Sequence, residues 1–253
     1  MKKLIRGILA VSAMAAALAL TGCDKKNGTT TGGDTTFAGE YRMEAKPLYS
    51  EMEAKDPNAT AIEMEGMNMT YAQIIAALFS LTQSADLGGT SDITFQPDGS
   101  MVIVFDDPED GTVTLLPNEA EGIPADAITY ALNGSNVIFT LSSETIDNML
   151  DAATIKQLLA GFNKGIFTYS AADNTAKVTF KYKLTETELT LYIDKGMISE
   201  TWSAGKAIMN GILALVGEDN PEIAAILTAV IPQVDTMLEG FNKIEVGAKM
   251  TRK

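Results

Sequence analysis

The sequence predicts an α+β domain that consists mainly of antiparallel β-structure, as a barrel or a strongly curved sheet with helical insertions. Short segments in which apolar and polar residues alternate recur along the chain, and turn signals such as Pro97-Asp98-Gly99 and Asn133-Gly134 separate them. Alternation with a period of two is typical of strands, and tight turns join antiparallel neighbours. Three blocks with helical periodicity interrupt these segments.

About nine short strands are predicted from the alternation. The first covers 37–44, where Tyr41 and Met43 share one face, and the clearest covers 176–184. The last covers 244–250, and its pairing with the first strand would remove both edges of the sheet. The other predicted strands form a hairpin over 92–106 and cover 112–116, 127–132, 136–141 and 187–194.

The first helical block begins with a capping box, in which Thr70 is followed three residues later by Gln73. Its predicted buried face is formed by Ile74, Ile75, Leu78 and Phe79. The second block covers 143–162. The apolar residues of the second block are Ile146, Leu150, Leu158, Leu159 and Phe162.

The third block is a helical pair before the last strand. Its second helix is predicted over 221–241, with apolar residues at steps of three and four and a kink at Pro232. The acidic break at 218–220 argues against a membrane span in this region. We expect Trp202, which precedes the pair, to pack in the core or at the edge of the lid that the pair would form.

The N-terminus has the three parts of a secretory signal. Lys2, Lys3 and Arg6 precede an uncharged apolar run over 7–20, and small residues lead to Cys23, the single cysteine of the chain. Leu20-Thr21-Gly22-Cys23 resembles the lipobox of bacterial lipoproteins. The resemblance implies that 1–22 is removed and that Cys23 becomes the first residue and carries acyl chains, palmitate among them.

The segment 23–36 therefore reads as the lipidated cysteine followed by a flexible tether, because 24–36 is polar, rich in Gly and Thr and without apolar periodicity. A single domain is predicted over 37–253. Asp24 follows the cysteine, a position that affects sorting in some bacteria. We expect a lipid-anchored protein of the bacterial cell envelope, in the outer membrane, on its periplasmic or its surface face.

The charge of the chain excludes some partners. Removal of 1–22 takes away three of 19 basic groups and none of 33 acidic groups, so the formal charge changes from −14 to −17. Such a surface repels nucleic acid and anionic lipid headgroups. With no second cysteine to form a disulfide, stability has to come from apolar burial.

Composition also argues against catalysis. The chain has no histidine, which removes the usual general base at neutral pH and the commonest zinc ligand. No Walker loop, dinucleotide-binding glycine motif or nucleophile elbow occurs. A carboxylate pair or a Ser-Lys arrangement is left open. We expect no enzyme and no cofactor.

Two segments invite a metal interpretation. The acidic segment 106–111 fails the EF-hand pattern, because Pro108 and Pro117 stand at ligand positions, and we expect a hairpin turn there. Met64, Met67 and Met69 offer soft ligands for Cu(I). The favoured alternative is a loop whose methionines pack a helix against the core.

Two segments resemble lipocalin-like (calycin) domains. Phe37-Ala38-Gly39-Glu40-Tyr41 is similar to their opening strand, which carries Gly-x-Trp, and 93–100 is similar to their second hairpin. Taken whole, the chain resembles the lipocalin-like lipoproteins of diderm bacteria, many of them without an assigned function. The resemblance implies a basic residue over the ring of Tyr41, and Arg252 and Lys249 are the candidates.

Two functions follow as expectations. In the first, the barrel binds a small apolar ligand, for which the sequence nominates the inward aromatic residues Tyr41, Phe95, Tyr130, Phe180 and Tyr182. The equally weighted alternative for these rings is a solid core. In the second, the chain is a structural or adaptor lipoprotein that binds a protein partner through helix 221–241.

Overall fold

In a computed structural model, the structure describes residues 36–64, 67–109, 111–149, 160–161, 163–206, 228 and 231–253. These residues form thirteen strands. In chain order the strands are β1 (Gly39–Met43), β2 (Leu48–Ala54), β3 (Thr60–Met64), β4 (Met67–Thr70), β5 (Thr90–Phe95), β6 (Met101–Asp107), β7 (Gly111–Leu116), β8 (Ile128–Asn133), β9 (Asn136–Leu141), β10 (Phe167–Ser170), β11 (Thr175–Leu184), β12 (Glu188–Asp194) and β13 (Phe241–Arg252).

Four helices are present in the same parts of the chain. They are α1 (Tyr71–Ser84), α2 (Ser143–Met149), α3 over 195–206 and α4 (Val234–Glu239). A 3-10 turn at Ile231–Gln233 precedes α4.

Eleven of the strands form one antiparallel sheet that curves into a nearly closed barrel, so the predicted fold class is confirmed. The order is β7-β6-β5-β1-β13-β12-β11-β9-β8, with β10 beside β11 and β2 beside β13. The predicted pairing of the last strand with the first is also confirmed, because Tyr41 pairs with Arg252 and Arg42 with Thr251. This pairing joins the two ends of the domain.

One seam of the barrel is not sealed by strand pairing. It lies between β7 and β8, the two ends of the strand order. Near one end of the seam the N–H of Tyr130 donates to the carbonyl of Gly99 at 2.8 Å. The buried residues Leu116 and Ala127 flank the link between β7 and β8 and add their side chains to the barrel core.

The buried apolar side chains form two large clusters and a small third one of Ile146, Tyr169 and Ala176. The first fills the barrel and includes residues from β1, β5, β6, β8, β9, β11, β12 and β13. The second lies where α1 and α4 pack beside β2 and β13, and Tyr71, Trp202 and Phe241 are its aromatic members. The expected burial of Trp202 is confirmed, and its indole N–H donates to Asp235 Oδ1 at 2.8 Å.

The capping box at the start of α1 is confirmed. Thr70 Oγ1 accepts from the N–H of Gln73 at 3.3 Å, and Gln73 Oε1 accepts from the N–H of Thr70 at 2.8 Å. The predicted buried face is correct for Ile74 but wrong for Phe79, which is 53% exposed. The stripe that packs inward is instead continued by Thr82, whose hydroxyl lies 3.3 Å from that of Ser50 on β2.

The predicted number of about nine strands is too low. It omits β10 and also β2, β3 and β4, and the favoured loop at 64–69 belongs to the β3–β4 hairpin. β2 pairs with β13 from Ala54 to Leu48. Its alternation is hidden in the sequence because polar Ser50 points to the inward face and Tyr49 to the outward face.

The two other helical predictions are covered in part. Of the predicted helix 143–162, the structure has α2, in which Ile146 is buried against Tyr169. Its remaining apolar positions at 150, 158, 159 and 162 lie outside the described residues. Of helix 221–241, the last residue is corrected, since Phe241 begins β13. The 3-10 turn falls at Pro232, where the kink is predicted.

Candidate functional site

The barrel interior contains a cluster of aromatic rings in direct contact. Phe95 is at its centre, with ring centroids 4.8 Å from Phe37, 5.2 Å from Tyr130 and 5.7 Å from Tyr41. Phe139 lies 6.2 Å from Phe95. These separations are those of tilted and edge-on aromatic pairs in contact.

The five residues nominated for ligand binding all contribute to this cluster. The rings of Tyr41 and Tyr130 both contact the ring of Phe95. Phe180 joins the cluster through Phe139, with ring centroids 5.9 Å apart. Tyr182 joins through Phe37 at 5.0 Å and is partly buried. The sequence therefore placed these rings on the correct face of their strands. Whether they bind a ligand stays a prediction.

Phe37 was not nominated, although its ring contacts three others. It precedes β1 and is buried, and its carbonyl accepts a hydrogen bond from the Tyr41 hydroxyl at 2.9 Å. This hydrogen bond across four residues holds the entry segment against the barrel. The available signal was the alternation over 37–44, which assigns Phe37 to the same face as Tyr41.

Arg252 covers the ring of Tyr41 on β1. The guanidinium carbon lies 5.7 Å from the ring centre, within the range of a cation–π contact. A Cβ atom at Gly39 would lie 3.2 Å from Arg252 Nη2, so a glycine leaves room for the guanidinium. The prediction of a basic residue over Tyr41 is confirmed for Arg252, whereas Lys249 lies 5.6 Å from the ring of Tyr49 instead.

Tyr130 connects the cluster to the unsealed seam. Its hydroxyl donates to the carbonyl of Gln96 at 2.6 Å, in addition to the backbone hydrogen bond to Gly99. Burial raises the pKa of this hydroxyl above its usual value, with a smaller contribution from Asp98. Tyr130 thus stays neutral near pH 7 and ties β8 to the β5–β6 turn.

The interior offers apolar contact rather than acid–base chemistry. Burial raises the pKa of Tyr41, and the positive charge of Arg252 only partly offsets this effect. Among the described residues that are buried, Lys195 is the one charged side chain. Its ammonium donates to the carbonyl of Phe241 at 2.7 Å.

Strands β6 and β7, which meet at the acidic segment 106–111, pair as the predicted hairpin, and Asp110 lies outside the described residues. Asp107 pairs with Gly111 across the turn, and its Oδ1 accepts from the N–H of Glu109 at 2.8 Å. Asp106 accepts from the hydroxyl of Thr112 at 2.9 Å. Across the described ranges, no group of three or more His, Cys, Asp or Glu residues is placed to hold a metal ion.

The copper interpretation of Met64, Met67 and Met69, which the sequence analysis did not favour, is covered only in part. Met69 packs against the second apolar cluster and is partly buried. The side chains at 64 and 67 lie outside what the structure describes.

The partner surface predicted on helix 221–241 is described only at its C-terminal end. The apolar side chains in this end face the second cluster and are buried; they are Ile231, Val234, Met237, Leu238 and Phe241. Apart from Thr228, residues 221–230 lie outside the described part, as do the proposed signal and Cys23. The partner prediction is not tested by these contacts.

Comparisons with protein-family models, curated proteins and solved structures gave no match for this chain. Among the helices that the structure describes, none is both long and apolar enough to cross a membrane.

Proposed function

We propose that this chain is a lipid-anchored protein of the bacterial cell envelope. The sequence Leu20-Thr21-Gly22-Cys23 supports the anchor. Among the residues that the structure describes, which begin at 36, the first side chain in the barrel core is Phe37, fourteen residues after Cys23.

The anchor is tested by Cys23→Ser in cells that express the full chain. We expect the variant to lose its acyl chains, measured by mass spectrometry, and to move from the membrane to the soluble fraction. Thr21→Ser, which keeps a small residue before Gly22, is the matched control and should remain acylated and membrane-bound. A Cys23→Ser variant that stays membrane-bound contradicts the anchor.

Within this protein, we propose that the barrel has a solid core and acts as a structural scaffold, which contacts its partners through its outer surface. The contacts among the interior rings are the observation that carries this proposal, because rings 4.8–5.7 Å apart around Phe95 leave no room between them for a ligand. The proposal includes no catalysis, since the chain lacks histidine.

Native mass spectrometry of the purified chain, released from membranes by the Cys23→Ser substitution, tests the scaffold. We expect the mass of the protein alone. We also expect that the fluorescence of N-phenyl-1-naphthylamine, an apolar probe, does not increase when it is mixed with the protein. A stoichiometric co-purifying molecule, or saturable probe binding, would contradict a solid barrel.

Binding of a small apolar ligand is the second candidate, and the unsealed seam between β7 and β8 favours it. A ligand that entered there would meet Tyr130 first. In that case Tyr130→Phe would remove the hydrogen bond to Gln96 and change probe binding, whereas the scaffold predicts no probe binding by either form.

A further inference from the structure

Helix α1 presents an uncharged outer face. Residues 71–84 contain no Asp, Glu, Lys or Arg, although 21% of the chain is charged. Among the helices in the described ranges, only α1 has this property. A solvent-facing helix in so acidic a protein normally carries charged residues on its outer side.

Two large apolar side chains are exposed on the same helix. Phe79 is 53% exposed and Leu81 is 58% exposed. The inward stripe of α1 contains Ile74 and Thr82, so Phe79 and Leu81 project from its two flanks. In the described residues, Leu132 on β8 is the one other large apolar side chain of comparable exposure, at 46%.

We propose that this outer face of α1 contacts the surface of a zwitterionic lipid bilayer and thereby orients the tethered domain. The inference rests on the proposed lipid anchor. Phe79 and Leu81 would enter the boundary between headgroups and acyl chains, as apolar residues of interfacial helices do. The other residues of this face carry no charge, so contact with the bilayer does not require a charged group to lose its hydration.

The size of the face argues for a bilayer over a second protein molecule. A helix of 14 residues is about 21 Å long and about 10 Å wide, a footprint of roughly 200 Å². A stable protein interface buries about 800 Å² on each partner. A weak lipid contact suffices here, because the anchor keeps the helix at a high effective concentration near the membrane.

The anchor is long enough to allow the contact. The N–H of Leu87, just after α1, donates to the carbonyl of Ala45, which follows Phe37 by eight residues. Eight residues span at most about 29 Å when fully extended. The thirteen residues from 24 to 36 can span up to about 45 Å, so a bilayer at Cys23 lies within reach of α1.

The test replaces the natural anchor, so that a failure of acylation does not affect it. Residues 23–253 with Cys23→Ser and an N-terminal hexahistidine tag are tethered to phosphatidylcholine vesicles that contain a nickel-chelating lipid. A single cysteine, Ser80→Cys, on the outer face of α1 carries an environment-sensitive fluorophore. A second protein carries it at Thr114→Cys, which is exposed on β7, three strands from β1.

We expect the emission at position 80 to shift to the blue on tethering and that at position 114 to stay unchanged. Phe79→Ser combined with Leu81→Ser should abolish the shift, while Leu132→Ser, a matched loss of exposed apolar area, should leave it intact. Thermal melts of each variant confirm that the domain is folded. Co-flotation with the vesicles confirms the tether.

Four results would overturn the proposal. The first is that the emission at position 80 does not shift on tethering. The second and third are that the shift survives the double substitution, or that Leu132→Ser removes it equally. The fourth is that the emission at position 80 is already blue-shifted in the absence of vesicles. If the blue shift without vesicles grows with protein concentration, the occupant of the face is a second copy of the chain. If it does not depend on concentration, the face is covered within one molecule.

Discussion

The guanidinium of Arg252, at the end of the last strand, lies 5.7 Å from the ring centre of Tyr41 on the first strand. The same two residues are paired in the sheet, so the contact joins the two ends of the domain both by backbone and by side chain. Arg252 also approaches the carbonyl of Ala38 at 3.4 Å. The contact lies where β1 pairs with β13, and without this pairing each of the two strands would expose an edge.

Replacement of Arg252 by alanine should therefore lower the free energy of unfolding by about 1–2 kcal/mol, the range of a partly desolvated cation–π contact. Urea unfolding followed by the fluorescence of Trp202 measures the loss. Lys249→Ala is the matched control, since it removes a cation from the ring of Tyr49 on the half-exposed outer face. Equal losses in the two variants would argue that Arg252 has no special role in closure.

Phe37→Ala should be among the most destabilising single substitutions in the chain. The side chain is buried and contacts the rings of Phe95, Tyr130 and Tyr182, and removal of a buried phenylalanine costs about 3–5 kcal/mol. Chemical denaturation measures the change. Phe79→Ala deletes the same side chain at an exposed position and should change stability by less than about 1 kcal/mol.

If Phe37→Ala proved as mild as Phe79→Ala, the entry segment would not be part of the core. The solid scaffold would then lose one of its supporting contacts.

Gly247→Ala should prevent normal pairing of β12 and β13. A Cβ atom at 247 would lie 2.0 Å from the carbonyl oxygen of Leu191 and 2.7 Å from the Cα of Tyr192, both backbone atoms of the neighbouring strand. The strands would have to separate, at a cost of about 3 kcal/mol or more. Soluble yield and the urea midpoint report the effect.

Gly196→Ala provides the comparison for that substitution. Its Cβ would lie 3.5 Å from Asp194 Oδ1, an ordinary contact, and alanine is favoured over glycine in helix α3. We expect unchanged or slightly higher stability. A normal yield of Gly247→Ala would show that the sheet can accommodate the added methyl group.

Asp92 should make stability depend on pH in the acidic range. Burial by itself would raise the pKa of this carboxyl, but hydrogen bonds from Arg42 and Lys253 outweigh it and lower the pKa below its usual value. The folded state therefore binds the proton less readily than the unfolded state. The stabilisation is present above the unfolded pKa of about 3.9 and is lost as pH falls through the folded value.

Asp92→Asn should accordingly melt at a lower temperature than the parent chain at pH 7, and the difference should shrink below about pH 4. Thermal melts from about pH 7 down to about pH 2.5 measure this trend. Asp126→Asn, at an exposed site in the link between β7 and β8, corrects for the loss of one negative charge. A difference that is constant over the whole pH range would contradict the role of the Asp92 carboxylate.

Local patterns predicted a large part of this fold because strand faces are a local property. Alternation over 176–184 placed Val178 and Phe180 inward, and both are buried. The hairpin turn at Gly99 and the capping box at Thr70 depend on residues within a few positions of each other, and both were identified. The inward direction of all five nominated aromatic residues followed from the same rule.

Features that depend on a distant neighbour were missed or placed incorrectly. Phe79 fits the apolar stripe of α1, yet it is exposed because β2 packs against the side of the helix that carries Thr82. β2 itself was not predicted because its inward side chain Ser50 is polar and therefore breaks the alternation. Its hydroxyl lies beside that of Thr82 on the same helix. Alternation assigns Phe37 to the inward face, but its contacts with rings from β5, β8 and β11 depend on which strands become neighbours.

By itself, the sequence determined which residues alternate, where the chain turns, that catalysis by histidine is impossible and that the chain is strongly acidic. Each of these is set by residue identity or by spacing of a few positions. The tertiary structure alone decided that the interior rings contact one another, that Arg252 rather than Lys249 covers Tyr41, and that the apolar flanks of α1 face outward. These outcomes depend on which strands become neighbours, and chain segments far apart in sequence make that choice through packing.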